Sequence, residues 1–374
     1  MKLYRAQSVL FNHLSPYAHG VGGFFLRKYL TKGEIMKKLL ALLLTFILAI
    51  TSLSLVACDD NKDVKLSLYA PDGAPALSVA RLIDDKSIVS NVEVKIVLAN
   101  TISAFVTGEE KKADFAILPV NAASKMLGNA SSYKMLGVVT NGNLFIMGKA
   151  SAEDINKTNL STLIGKKVGV INLANVPGLT FKAILSENEI PFANLVEGGE
   201  VDASKVNLVG LTDGTAVTPS SECDYFVVPE PAATTKQTMT SGKLKICGSL
   251  QALYGDGEGY PQAVLVAKKS VVENNLDIVK TLVNSFSANE EWLKSESTTS
   301  TQIVNAVKSG FLDSEMAPTF NANNLNKTVI ENCAISFTKA SEIKGDVLEY
   351  LQKINGVSNN AWGTPDDDFF YSVN

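Results

Sequence analysis

Residues 165–185 read GKKVGVINLANVPGLTFKAIL. Lys167–Ile171 is a short apolar run whose valines and isoleucine suit a strand buried on both faces. A loop follows, Asn172-Leu173-Ala174-Asn175, and Val176-Pro177-Gly178 then opens a helical pattern over Leu179–Glu187. The same order recurs along the chain. Strand-like runs fall at Val64–Ala70, Val92–Leu98, Asp114–Leu118, Val206–Val209 and Asp224–Val228. Between them lie helix candidates at Pro75–Ile83, Ile102–Glu109, Ala122–Leu127 and Pro231–Ser241. This alternation predicts an α/β fold with parallel sheets covered by helices. Beyond residue 270 the reading turns helical, over Val271–Leu293 and Leu325–Ile354, with a break expected near Gly345.

Two longer apolar segments differ from these units: Met135–Lys149 (MLGVVTNGNLFIMGK) and Gly259–Lys268 (GYPQAVLVAK). Each is too long for one buried parallel strand. A chain that leaves one α/β domain, builds a second and returns needs two such crossing strands; by pattern alone they read equally as two further core strands. The crossing reading divides the chain into 64–147 (first part of lobe 1), 148–260 (lobe 2) and 261–374 (return to lobe 1, with C-terminal helices).

The loops after the strands share a character. They are Pro71-Asp72-Gly73-Ala74-Pro75, Asn100-Thr101 (with Thr101 read as an N-cap), Pro119-Val120-Asn121, Asn172 to Gly178, Leu211-Thr212-Asp213-Gly214-Thr215 and Pro229-Glu230-Pro231. In open α/β sheets, ligands sit beyond the carboxyl ends of strands. Small polar loops at helix starts suit a small polar or anionic molecule held through backbone N–H groups, although ordinary turn chemistry favours much the same composition.

Charge is unevenly placed. The 374 residues carry 34 Lys+Arg and 38 Asp+Glu, net −4. Residues 1–57 hold seven of the cations, one acid and both histidines, so residues 58–374 carry a net −10 with a single arginine, Arg81. Without imidazole, the body of the chain can hold no Ser-His or Cys-His nucleophile and no His-ligated metal. The acidic excess argues against nucleic acid as a partner.

The first 57 residues read as an address. Leu39–Ala57 contains no charge; Met36-Lys37-Lys38 precedes it and Cys58 follows at once. That order is a secretory signal. Leu55-Val56-Ala57-Cys58 resembles a bacterial lipobox, which implies lipidation of Cys58 and a short tether at 58–63. The alternative is an uncleaved anchor, since about 20 apolar residues span a bilayer. Translation is expected to start at Met36, because Lys32-Gly33-Glu34 is what a ribosome-binding site looks like when read as protein. Cys223, Cys247 and Cys333 then remain, an odd number without metal spacing, and read as buried thiols.

Four stretches together carry a resemblance: Tyr69–Ile83 (YAPDGAPALSVARLI), Ala113–Ala123 (ADFAILPVNAA), residues 165–185, and Asp224–Gln237 (DYFVVPEPAATTKQ). From Val64 to about Asp346 the chain resembles the substrate-binding lipoproteins of ABC importers, in the branch related to nitrate, alkylsulfonate and thiamine-pyrimidine-precursor receptors. The resemblance implies a type II periplasmic-binding-protein fold, with two α/β lobes, two hinge strands and a solute trapped as the lobes close. It places Asp72, Gly73, Ala74, Asn100 and Thr101 at the ligand from lobe 1. Asn175, Pro177, Gly178, Asp213, Gly214, Thr215 and Glu230 face it from lobe 2, and the loop residue Asn121 completes the set. It also implies a permease and an ATPase as partners, a monomer, export to the outer face of the cytoplasmic membrane, and no catalysis, cofactor or metal. The ligand classes implied are a sulfonate, a nitrate-like anion or an aminopyrimidine.

Several residues invite functional readings that local chemistry tempers. Arg81 tempts an anion-clamp reading, but Asp84 and Asp85 nearby favour a surface ion pair. Gly255–Gly259 (GDGEG) lacks the lysine of a phosphate loop and the spacing of an EF-hand. Tyr254 and Tyr260 suit either a ring-bearing ligand or packing. Trp292 falls in an apolar helical pattern, and Pro365-Asp366-Asp367-Asp368 reads as a solvated acidic turn. The rival classes are an enzyme on the same fold, resembling the dehydratases of menaquinone synthesis, and a surface sensory lipoprotein.

Overall fold

In the computed structural model, twelve strands among the described residues form two six-stranded sheets. The described residues are 64–108, 112–128, 132–196, 198–358 and 362–373; the leader, Cys58 and the tether lie outside them. The first sheet has the order β12-β4-β11-β3-β1-β2. Its strands are β1 (Leu66–Pro71), β2 (Val92–Val97), β3 (Phe115–Pro119), β4 (Tyr133–Thr140), β11 (Ala263–Lys268) and β12 (Ile335–Lys339). The second has the order β10-β5-β9-β6-β8-β7. It is built from β5 (Leu144–Lys149), β6 (Lys167–Ile171), β7 (Phe192–Asn194), β8 (Val206–Leu211), β9 (Tyr225–Pro229) and β10 (Leu244–Ser249).

Parallel pairing holds within β2-β1-β3 and within β7-β8-β6-β9. The sheets are mixed, however, because β11 and β12 run against their neighbours in the first and β5 against its neighbours in the second. The antiparallel strands β5 and β11 are those on which the chain enters or re-enters a sheet. The long segment 135–149 is delivered as two strands, β4 and β5, on either side of Asn141-Gly142-Asn143. This first passage falls ahead of the expected division at 147/148. The return runs from β10 through the short helix Leu250–Leu253 to β11. Gly259 serves this return: it sits at φ +96°, and an added Cβ would lie 2.3 Å from the Asn141 carbonyl oxygen. Only glycine lets the two passages approach so closely.

All eight residues of β4 are buried. Its one cation, Lys134, is paired with Asp368 and donates to the Asp368 carbonyl oxygen at 2.7 Å. The acidic run 366–368 is therefore not merely solvated: Asp367 meets Lys344 at 2.7 Å, and the C-terminal strap is laid along β4 by the Tyr371 N–H to Met135 carbonyl bond.

The C-terminal part departs from an all-helical reading. Ile335–Lys339 (ISFTK) is β12, favoured by its β-branched and aromatic residues, and lies between the helices Lys327–Asn332 and Ala340–Val357. No break occurs at Gly345, which sits in the interior of the last helix with open space around it. The expected helix Pro75–Ile83 forms as two pieces, Ala74–Leu77 and Ala80–Asp84, and β7 and β10 are strands that the pattern did not single out. Leu276–Lys294 and Ser300–Ser309 cover one face of the first sheet, over a core that includes Leu68, Ile96, Phe115, Leu265 and Phe286. Each such side chain withdrawn from water contributes about 1.5–3 kcal/mol.

Arg81 is half-buried; the Ser87 hydrogen bonds hold the Asp85 carboxyl below its ordinary value and the Arg81 charge helps them, without a close ion-pair contact among the described residues. Asp85 is engaged by the Ser87 N–H and hydroxyl, and Asp84 by Gln302. Cys223, Cys247 and Cys333 are buried and unbridged. Tyr254 and Tyr260 are core residues, packed with Tyr350 at centroid distances of 5.4, 5.9 and 5.6 Å. Trp292 packs half-buried against the first-sheet core.

Candidate functional site

Because β1, β2 and β3 are parallel to one another, as are β6, β8 and β9, their carboxyl ends present three loops on each sheet toward one end. On the first sheet, Asp72 is half-buried. Its Oδ1 accepts from Gly73 N–H (2.8 Å) and its Oδ2 from Thr319 N–H (3.0 Å), which ties the loop after β1 to a segment 247 residues away. Burial pushes the Asp72 carboxyl above its ordinary value, against these hydrogen bonds. Gly73 caps the Ala74–Leu77 helix and Ala74 is buried. Asn100 and Thr101 are exposed. Thr101 is not an N-cap: its hydroxyl donates back to the Leu98 carbonyl at 2.8 Å, and Ser103 takes the cap position of Ala104–Thr107. Asn121 is buried in the first turn of Val120–Leu127.

On the second sheet, Asn175 is the N-cap residue of Val176–Glu187, exposed, with a side chain that makes no capping bond. Pro177 lies in the first turn behind it and Gly178 is buried. Asp213 is exposed; its Oδ1 accepts from the Thr215 N–H (2.7 Å) and hydroxyl (2.5 Å), bonds that hold its carboxyl below the ordinary range and fix the 3₁₀ turn Gly214–Ala216. Asp213 and Thr215 thus present a preformed polar edge to solvent.

Glu230 differs from the rest. It is 1% exposed, at the end of β9. Its carboxylate accepts from the Thr234 N–H (3.0 Å) and hydroxyl (2.6 Å). Burial pushes it up, opposed by Thr234 and by the side chain of Asn332 from the segment leading into β12. A carboxylate at the end of a second-sheet strand therefore meets a side chain of the helix that leads into β12. Its backbone is bracketed by Asn143, which takes the Glu230 N–H (2.8 Å) and donates Nδ2 to the Glu230 carbonyl (2.9 Å). Asn143 is in turn locked to Gln262 of the return passage: Asn143 N–H to Gln262 Oε1 at 2.8 Å, Gln262 Nε2 to Asn143 Oδ1 at 2.6 Å. Leu144 N–H donates to Gln251 Oε1 at 3.1 Å. The two passages are thus one hydrogen-bonded unit directly beneath Glu230.

Thr319, Asn143, Gln262 and Asn332 were not singled out from the sequence. Asn143 and Gln262 carried a signal, each as a polar residue inside one of the two long apolar segments. Among the described residues no group of three His, Cys, Asp or Glu is placed to hold a metal, and no helix is long and apolar enough to cross a membrane.

No family model matches the chain, and no curated protein matches it in sequence. Solved structures do match in shape. One is an ABC transporter protein from Parabacteroides distasonis, at TM-score 0.63 and 17% identity over 83% of this chain and 99% of that one. Another is the ligand-binding component of an ABC-type import system from Staphylococcus aureus with zinc bound, at TM-score 0.53 and 14% identity over 83% and 97%. A third is a periplasmic sulfonate-binding protein from Methylobacillus flagellatus, at TM-score 0.50 and 13% identity over 83% and 92%. The chain has the periplasmic-binding-protein fold. In that fold the two sheets are the cores of two lobes, and the paired passages around Asn143 and Gln262 are the hinge.

Glu230 gives this binding-protein fold a pH signature. Its carboxyl is raised in the folded state, so the folded protein binds that proton more tightly than the unfolded chain does. Acidification from neutrality toward about 4.5, the ordinary glutamate value, therefore stabilises the fold at this position, and the contribution fades as pH rises through the raised value. Asp72 adds in the same direction. Glu230→Gln keeps an acceptor for Thr234 and removes the charge. Its stability at pH 7 is expected to equal or exceed that of the parent, with the Glu230 share of the acid stabilisation gone. Urea midpoints from pH 4.5 to 8 check this; identical pH profiles for parent and variant would contradict it.

Proposed function

We propose that this protein is an extracytoplasmic solute receptor of an ABC importer, which captures a small polar organic solute between its lobes and hands it to a membrane permease served by an ATPase. The observation that carries the reading is a pair of sheets, each with polar loops at the carboxyl ends of its parallel strands, joined by hydrogen-bonded passages in the periplasmic-binding-protein fold. A ligand that touches both sets of loops has more contacts when the lobes are closed, and that difference drives closure. The sites proposed are Asp72-Gly73-Ala74, Asn100-Thr101 and Asn121 on one lobe, with Asn175, Pro177-Gly178, Asp213-Gly214-Thr215 and Glu230 on the other. Two of these, Asp72 and Asp213, are acids that keep some surface, and none is Lys or Arg. That composition supports a ligand with a cationic or hydrogen-donating face, such as an aminopyrimidine, over a sulfonate or nitrate-like anion. Lipidation at Cys58 would hold the receptor beside its permease and raise its effective concentration there.

Native mass spectrometry of the protein beginning at Cys58 is expected to show a small bound species released on denaturation. Asp213→Ala is then expected to weaken affinity for that species by about tenfold or more, the value of a hydrogen bond to a charged group. Asp213 is exposed, so the variant should fold normally. Unchanged affinity would remove the loop after β8 from the site.

A further inference from the structure

A second surface lies on the first lobe, along the outer edge of β2, which ends its sheet. The backbone register shows which groups face outward. Odd-numbered positions turn toward β1: Leu66 N–H donates to the Asn91 carbonyl and Asp72 N–H to the Val97 carbonyl. Even-numbered positions turn away from it. The Ile96 N–H donates to the Gly310 carbonyl (2.7 Å) and the Ile96 carbonyl accepts from the Leu312 N–H (2.9 Å), so residues 310–312 form one rung of an added parallel strand. One rung earlier, Val94 points the same way, and its N–H and carbonyl have no partner among the described residues. An edge used at one rung and open at the next is a template for an extended chain.

The open rung is not a bare edge. A groove of about 410 Å³ runs along it, lined on its apolar side by Leu82, Ile83, Val92, Val94, Phe311 and Leu312. Leu312 is 53% exposed, one of the few large apolar side chains so presented. Three lysines, Lys65, Lys86 and Lys95, line the groove against one acid, Glu93, which is already paired with Lys95 at 3.1 Å. Lys65 and Lys86 are exposed and form no ion pair with another described residue. On a body whose net charge is −10, this is a local cationic groove. Edge lysines ordinarily guard against self-pairing, and here they disfavour a second copy of the same edge by like-charge repulsion. The same lysines favour an acidic strand.

We propose that the β2 edge is a docking site for an extended, acidic peptide segment of a partner protein, added as a strand beside Val92–Val94 with alternate apolar side chains in the groove and acidic ones near Lys65 and Lys86. Main-chain bonds to Val94 supply affinity and the groove and lysines supply specificity, the division of labour in strand addition. The site is separate from the loops between the lobes, and its occupation does not depend on solute.

The test uses a fluorescein-labelled heptapeptide alternating glutamate and valine, with a lysine-valine counterpart as control. The acidic peptide is expected to bind saturably by anisotropy and to slow amide hydrogen exchange within residues 92–97, while the lysine peptide does neither. Lys65→Glu combined with Lys86→Glu, both exposed positions, is expected to weaken binding by about tenfold or more. Three results would overturn the proposal: no saturable binding at millimolar peptide, equal binding of both peptides, or full affinity in the double variant. Concentration-dependent dimerisation that protects 92–97 without peptide would assign the edge to a second copy. Binding to anionic phospholipid vesicles, abolished in the double variant while the peptide remains unbound, would assign it to a membrane surface.

Discussion

Tyr350→Ala is expected to lower the unfolding free energy by about 3–5 kcal/mol, the range for removing a large aromatic ring from a core. Tyr350 is fully buried, stacked on Tyr260 at 5.6 Å and edge-on to Tyr254 at 5.9 Å. Its hydroxyl meets the Thr180 hydroxyl at 2.7 Å. The ring therefore joins three parts of the chain: the last helix, the return passage and the lobe 2 helix Val176–Glu187. Lys353 adds an ion pair to Glu187 at 3.0 Å one turn later. The last helix also packs on β4, so it spans both lobes behind the hinge. Truncation leaves a cavity and a buried Thr180 hydroxyl without its partner, whose desolvation alone costs about 1–3 kcal/mol. Tyr350→Phe keeps the ring and should cost only about 1 kcal/mol. Guanidinium unfolding curves separate the two. A truncation no worse than the phenylalanine variant would show that the triad does not hold the lobes together.

The tyrosine triad also marks the limit of what the sequence discloses. Tyr254 and Tyr260 are visible beside a glycine-rich turn, where stacking on a ligand is a fair reading; their third member lies 90 residues away, and only the folded chain brings it in. Strand-loop-helix units such as 165–185 are legible because a buried parallel strand and its following helix are written contiguously. Strands β7 and β12 are not, being short and half-exposed, with pairing that depends on distant neighbours. The same division holds for the candidate site. Asp72, Asp213 and Glu230 stand at strand ends and can be found by pattern. Their surroundings cannot: Thr319 reaches Asp72, and Asn332 reaches Glu230, across separations that no periodicity encodes. Thus Asp213 and Glu230 look alike in sequence, while one is an exposed turn-former and the other a buried carboxyl at the seam between lobes.

One substitution made at two glycines should move stability in opposite directions. In an open helix, glycine to alanine stabilises by about 0.5–1 kcal/mol, because alanine has less backbone freedom to lose. Gly345, in the last helix with nothing within 4 Å of an added Cβ, should behave this way. Gly178 lies in the first turn of the helix Val176–Glu187, where the same Cβ would sit 1.9 Å from the Leu173 carbonyl oxygen and 2.6 Å from its Cα. Backbone cannot rotate aside as a side chain can. The loop Asn172–Asn175 must move, and it is held by Asn172 N–H to the Leu211 carbonyl and by Asn175 N–H to the Asn172 carbonyl. Gly178→Ala is therefore expected to destabilise by about 3 kcal/mol, the upper part of the range for overpacking. It should also displace Asn175 and Pro177, which belong to the proposed solute site, so solute affinity falls even where the variant remains folded. Urea midpoints for the two alanine variants, read beside solute binding at a temperature where both are native, check each part. If Gly178→Ala were as stable as the parent and bound solute equally well, the close approach of Leu173 to the helix start would have no part in shaping the site.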